Sequence, residues 1–134
     1  MRAYLLILAG LPLVAQTDTN MACVERLEIP TYPPLAKQAR IAGVLTASVR
    51  VGADGSIGNI SSQFVPESTK SVMFASAVEE SLRASMFAKS CAGKQVRLVF
   101  NFVIAEPGAS TQVNSSFGYP NQFWIVAHFK TYVD

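Results

Sequence analysis

Glu79-Glu80, Ser61-Ser62, Ser115-Ser116, Asp54, His128 and the pair Cys23 and Cys91 are the residues of this 134-residue chain whose types could carry chemistry. General acid and base catalysis needs carboxylates that converge on one point. Glu79 and Glu80 are neighbours on a stretch with helical periodicity, so they diverge by about 100° around the axis and read as a solvated outer face. Neither serine pair sits in a Gly-x-Ser-x-Gly elbow beside a plausible base, which removes the usual hydrolase arrangement. His128 is the only histidine and lies in a strand-like segment. With two cysteines it supplies too few ligands for a tetrahedral metal site. Asp54 belongs to Ala53-Asp54-Gly55, where Asp and Gly suit a tight turn for conformational reasons. The expectation is a protein that is not an enzyme, with no cofactor and no metal.

The start of the chain bears on the cysteines. Arg2, the apolar run Ala3 to Val14 and the small-residue point Leu13-Val14-Ala15 predict a signal peptide over residues 1–15, cut before Gln16. An uncleaved anchor is the other outcome. Export from the cytosol would place Cys23 and Cys91 in an oxidising compartment, where an even count points to a disulfide, with a reactive pair as the alternative. Loss of Arg2 with the leader lowers the formal charge from +2 to +1. Basic residues are dispersed and the glycines form no Gly-Lys-Ser or Gly-Lys-Thr cradle, so nucleic acid and nucleotide phosphates are excluded as ligands.

The remaining chain alternates between two periods. Pro33 and Pro34 suit a first helical turn, Leu35, Ala36 and Ala39 follow at helical spacing, and Gly43 is placed to stop the run. Leu45, Ala47, Val49 and Val51 then alternate with Thr46, Ser48 and Arg50, the pattern of a half-buried strand. The Asp54-Gly55 turn leads to a second strand through Ile57, Ile60, Ser62 and Phe64, whose broken alternation predicts a bulge near Gly58. Ser68 or Thr69 would cap a second helix with Phe74, Val78, Leu82 and Met86 at four-residue intervals. Val96, Leu98, Phe100, Phe102 and Ile104 share one face of the strongest strand. Residues 106–121 read as a loop, and Phe123 to Val133 as a further strand.

The order Tyr32-Pro33, short helix, Gly43, alternating strand and Ala53-Asp54-Gly55 turn resembles the C-terminal domain of the TonB family of periplasmic energy transducers. The resemblance covers residues 29–105. At the end of the second helix, where the family carries a tryptophan-based signature, this chain reads Arg83-Ala84-Ser85-Met86-Phe87, with Phe87 matching and Ser85 at the tryptophan position. The expected fold is α+β: a small antiparallel sheet of three to four strands with two helices, near residues 33–41 and 70–86, packed on one face. Around it lie a lead-in at 16–28, the loop at 106–121 and an extra strand at 122–134.

The resemblance implies that the last strand pairs with an extended segment of an outer-membrane transporter or another envelope protein. By position that strand is Val96, Arg97, Leu98, Val99, Phe100, Asn101 and Phe102, with Tyr32 and Pro33 fixing the first helix beside the sheet. Main-chain bonds would hold the partner and Arg97, Val99 and Asn101 would adjust selectivity. A second copy of the chain is an alternative partner. A secreted structural or stress-related envelope domain that keeps the fold without transporter binding is the alternative function. Because an apolar edge strand left bare invites aggregation, the tail from Phe123 is expected to fold back along it.

Overall fold

The computed structural model describes residues 23–105, 115–118 and 121–128. The signal-peptide and cleavage expectations lie outside the described residues, as do the parts of the loop and tail at 106–114, 119–120 and 129–134. The elements run β1 (Val24–Arg26), α1 (Pro34–Gln38), β2 (Gly43–Val51), β3 (Ile57–Val65), α2 (Ser71–Arg83), β4 (Met86–Phe87), a 3-10 turn (Lys89–Cys91), β5 (Gln95–Ile104), β6 (Ser115–Gly118) and β7 (Gln122–Ala127). The fold is α+β, with both helices against one face of a five-stranded sheet ordered β3-β2-β5-β7-β6. β1 and β4 form a separate antiparallel pair. No helix among the described residues is long and apolar enough to cross a membrane.

Alternation dictates the core. Leu45, Ala47, Val49 and Val51 of β2 and Val96, Leu98, Phe100 and Phe102 of β5 are all buried on the helix side. Phe74, Val78 and Leu82 of α2 close over them, one helical turn apart. Phe74 stacks on Phe64 with ring centroids 4.2 Å apart and meets Phe102 at 4.8 Å, so one aromatic chain runs across the sheet and into α2. The bulge falls where the broken period places it: Val49 faces Ile60, but Val51 faces Ile57, leaving Gly58 and Asn59 to share Arg50.

Several boundaries differ from the sequence expectation. α1 ends at Gln38, and Arg40, not Gly43, takes the left-handed conformation (φ 56°). Ile41 N–H donates to Ala36 C=O and Arg40 N–H to Lys37 C=O, so a Schellman closure ends the helix three residues early. Ala36 is its buried residue, whereas Leu35 is exposed. Gly43 instead opens β2, where a Cβ would lie 2.4 Å from the Phe64 ring. α2 begins after Lys70 without a side-chain cap. In the preceding turn the Ser71 hydroxyl accepts the Ser68 N–H and the Ser68 hydroxyl accepts the Lys70 N–H.

α2 also stops at Arg83, so Met86 is half exposed and off the apolar stripe. Ser85 explains the stop. Its hydroxyl donates to Ser81 C=O at 2.7 Å and accepts the Glu28 N–H at 2.9 Å, turning the chain towards the lead-in. Met86 and Phe87 then pair with Val24 to Arg26, so part of the lead-in is a strand.

The tail brings the largest change. Part of the expected loop forms β6, and β7 runs parallel to β5, which makes the sheet mixed instead of antiparallel. β6 and β7 are an antiparallel pair, and it is the second arm of that pair that lies against β5, in β5's own direction. β7 ends at Ala127, shorter than the strand expected to Val133.

Candidate protein-binding edge

The edge expected to receive a partner belongs to β5. Val96, Leu98, Phe100 and Phe102 point into the core, while Arg97 is exposed and Val99 and Asn101 are half-buried on the open face. Their side chains therefore occupy the two sides that pairing through the main chain requires. β5 has its neighbours, however: β2 on one side and β7 on the other. The register with β7 runs from Val99–Gln122 to Ile104–Ala127, which leaves Gln95 to Leu98 beyond the end of β7.

Two asparagines fasten that junction. Asn121 is buried; its C=O accepts the Val99 N–H at 3.0 Å and its side-chain amide donates to Arg97 C=O at 2.9 Å. Asn101, expected to adjust partner selectivity, donates to the Gln122 side chain and to Phe123 C=O, both at 3.0 Å. At the far end Ala105 N–H donates to Ala127 C=O. Beneath these bonds Phe123 and Ile125 enter the core, and Phe123 stacks on Phe100 with centroids 5.3 Å apart. Sequence reasoning passed over Asn121 and Gln122. The signal was an amide residue at the point where a polar run becomes aromatic.

Tyr32 and Pro33 lie beside the end of this edge but face inward. The Tyr32 ring meets Phe102 and Phe74 edge-on at 5.4 and 5.9 Å, and its hydroxyl donates to Ile41 C=O. Burial pushes its phenol pKa up from 10.0 to about 12. Pro33 is buried, and its C=O accepts the Lys37 N–H that starts α1. The structure thus packs the half-buried Tyr32 against Phe102, with Pro33 buried beside it.

Cys23 and Cys91 are bonded, with Cα atoms 5.7 Å apart. Both are buried, and the bond ties the start of β1 to the turn that precedes β5. A groove of about 680 Å³ lies between the β2–β3 hairpin tip and β4, walled by Asp54, Ile57, Arg83, Met86 and Lys89. Asp54 accepts both the N–H and the hydroxyl of Ser56, which hold its carboxyl below the usual carboxylate range. A carboxylate stabilised in that way is a turn acceptor and a poor proton acceptor. Glu79 pairs with Arg83 at 3.3 Å on the exposed side of α2. Among the described residues no three His, Cys, Asp or Glu side chains cluster as metal ligands.

No family model and no curated protein matches the chain. Among solved structures it is similar to the solution NMR structure of the Pseudomonas aeruginosa TonB CTD, at 26% identity and a TM-score of 0.47, over 58% of this chain and 81% of that one.

Proposed function

We propose that this chain is a periplasmic binding module of TonB C-terminal type. It takes up an extended segment of an outer-membrane transporter or related envelope protein by strand addition along β5. Its Tyr32-Pro33 pair, its Ala53-Asp54-Gly55 turn and the order of its helices and strands support the type. The observation that carries the reading is the parallel register of β7 on Val99 to Ile104, because it makes the expected partner edge one that accepts an added strand. The disulfide agrees with an exported chain.

On this reading β7 occupies the partner's place, and a partner must displace it. The start of β5 at Gln95 and Val96, beyond the end of β7 and ahead of the Asn121 bond to Arg97 C=O, gives an incoming strand its first contact. Closure of the edge by β7 also favours the second reading, an envelope domain that keeps the fold and binds no transporter.

Asn121→Ala separates the two. It removes the side-chain bond to Arg97 C=O but keeps Phe123 and Ile125, so the fold survives with a looser β7. The expected result is tighter binding of a synthetic extended peptide taken from the periplasmic end of a transporter, by about tenfold for each 1.4 kcal/mol lost from the latch. Hydrogen exchange should then show protection moving from Gln122–Ala127 to the peptide while β5 stays protected. If neither the parent chain nor Asn121→Ala binds any such peptide, the second reading stands.

A further inference from the structure

We infer that the outer edge of β3 is a self-association surface, on which a second copy of this chain pairs antiparallel about a two-fold axis at Ser62. The inference is independent of transporter binding, since β3 and the β5–β7 junction lie on opposite sides of β2.

The backbone geometry of β2 defines which groups are open. Val51 exchanges bonds with Gly93 and Lys94, so its N–H and C=O face the β5 side, whereas Gly52 N–H donates to Ser56 on the β3 side. In an antiparallel ladder that direction alternates with each residue. Val44, Thr46 and Ser48 therefore bond towards β3, to their register partners Val65, Gln63 and Ser61. Ile60, Ser62 and Phe64 then direct their N–H and C=O groups away from β2. β3 is the terminal strand on that side of the sheet among the described residues.

Natural edges are blunted by charge, proline, shortness or a bulge. From Ile57 to Val65 this nine-residue strand has no charged residue and no proline, and its bulge at Gly58 and Asn59 distorts one end only. Such an edge carries no charge with which to select a foreign segment.

It does match itself. A two-fold axis at Ser62 sets Ser62 against Ser62 and Ile60 against Phe64 in both directions, and all three pairs are of the hydrogen-bonded kind. The three outward residues then satisfy every N–H and C=O they present. On the helix side half-buried Ile60 meets the Phe64 of the second copy, and on the open side Ser61 meets its Gln63, so each contact joins like with like. No charge meets its own image, which is the usual obstacle to an isologous edge contact.

Sedimentation equilibrium of the oxidised full chain tests this, with Ser62→Lys and Ser62→Pro as variants. Lysine places two like charges at the axis. Proline removes an outward N–H while leaving the ladder to β2 intact, the one strand setting in which proline is tolerated. The expected result is a concentration-dependent dimer in which the Ile60, Ser62 and Phe64 amides gain exchange protection. Each variant should raise the dimer dissociation constant at least about tenfold with unchanged circular dichroism, and Asn121→Ala should leave it unaltered. If Ser62→Pro fails to fold, Ser62→Lys alone decides. A monomer at every concentration, or a dimer that persists in the folded variants, overturns the inference.

Discussion

The Tyr32 ring packs edge-on against two phenylalanines while its hydroxyl holds the Ile41 carbonyl, so one side chain fixes both the core and the path of the chain after α1. Tyr32→Phe keeps the ring and strands that carbonyl. The expected cost is about 1 kcal/mol, read as a lower denaturation midpoint. The phenol also predicts a pH response. Its pKa is raised in the folded state from 10.0 to about 12, so the neutral form is favoured on folding. Stability should be unaffected below pH 10.0 and fall as pH rises from 10.0 through about 12, and Tyr32→Phe should remove that part of the alkaline loss. Gly43 belongs to the same scale. A methyl there would lie 2.4 Å from the Phe64 ring and 2.6 Å from the Val65 carbonyl oxygen. Gly43→Ala should destabilise by about 1–3 kcal/mol through overpacking, seen as a shifted midpoint with an unchanged denaturant slope.

Among the elements, β2 and β5 were legible because every second residue from Leu45 to Val51 and from Val96 to Phe102 is apolar, and burial follows that alternation without exception. The core stripe of α2 was legible through Phe74, Val78 and Leu82. Its end was not, because Met86 continues the four-residue spacing while Ser85, through bonds to Ser81 and Glu28, takes the chain out of the helix. β1, β4 and β6 have three, two and four residues, too few to display any period. At the candidate site the edge strand and its buried face were readable, but the latch was not. Asn121 gains its importance only from the position of Arg97, 24 residues away in sequence.

For the molecule as a whole, the disulfide closes a loop with a sequence separation of 68. In the chain-entropy account such a closure contributes about 4 kcal/mol by constraining the unfolded chain. Reduction, or Cys23→Ser with Cys91→Ser, should therefore lower the midpoint substantially, a large effect in a domain of this size. Amides at the start of β1 and in β4 should lose protection first, because Cys23 C=O accepts the Ala88 N–H beside the bond. Thermal and denaturant melts of the oxidised and reduced chain check the magnitude, and hydrogen exchange checks the order. Equal stability in both forms would show that the bond constrains little in the unfolded state.

The sequence by itself determined the buried faces, the Asp54-Gly55 hairpin, the bulge near Gly58, the pairing of Cys23 with Cys91 and the return of the tail to the strongest strand. Each is written in residue types: the period of apolar side chains, the turn preferences of Asp and Gly, a count of two cysteines behind an export-like leader, and an apolar edge that needs covering. Tertiary structure alone decided that β7 runs parallel, that Asn121 and Asn101 fasten it, that Met86 leaves α2, and that β3 is a terminal strand of the sheet among the described residues. The physical reason lies in the two directions of a strand. Side chains point above and below the sheet and record burial in the sequence, whereas the N–H and C=O groups point sideways, are the same in almost every residue, and acquire a partner only when the chain has folded.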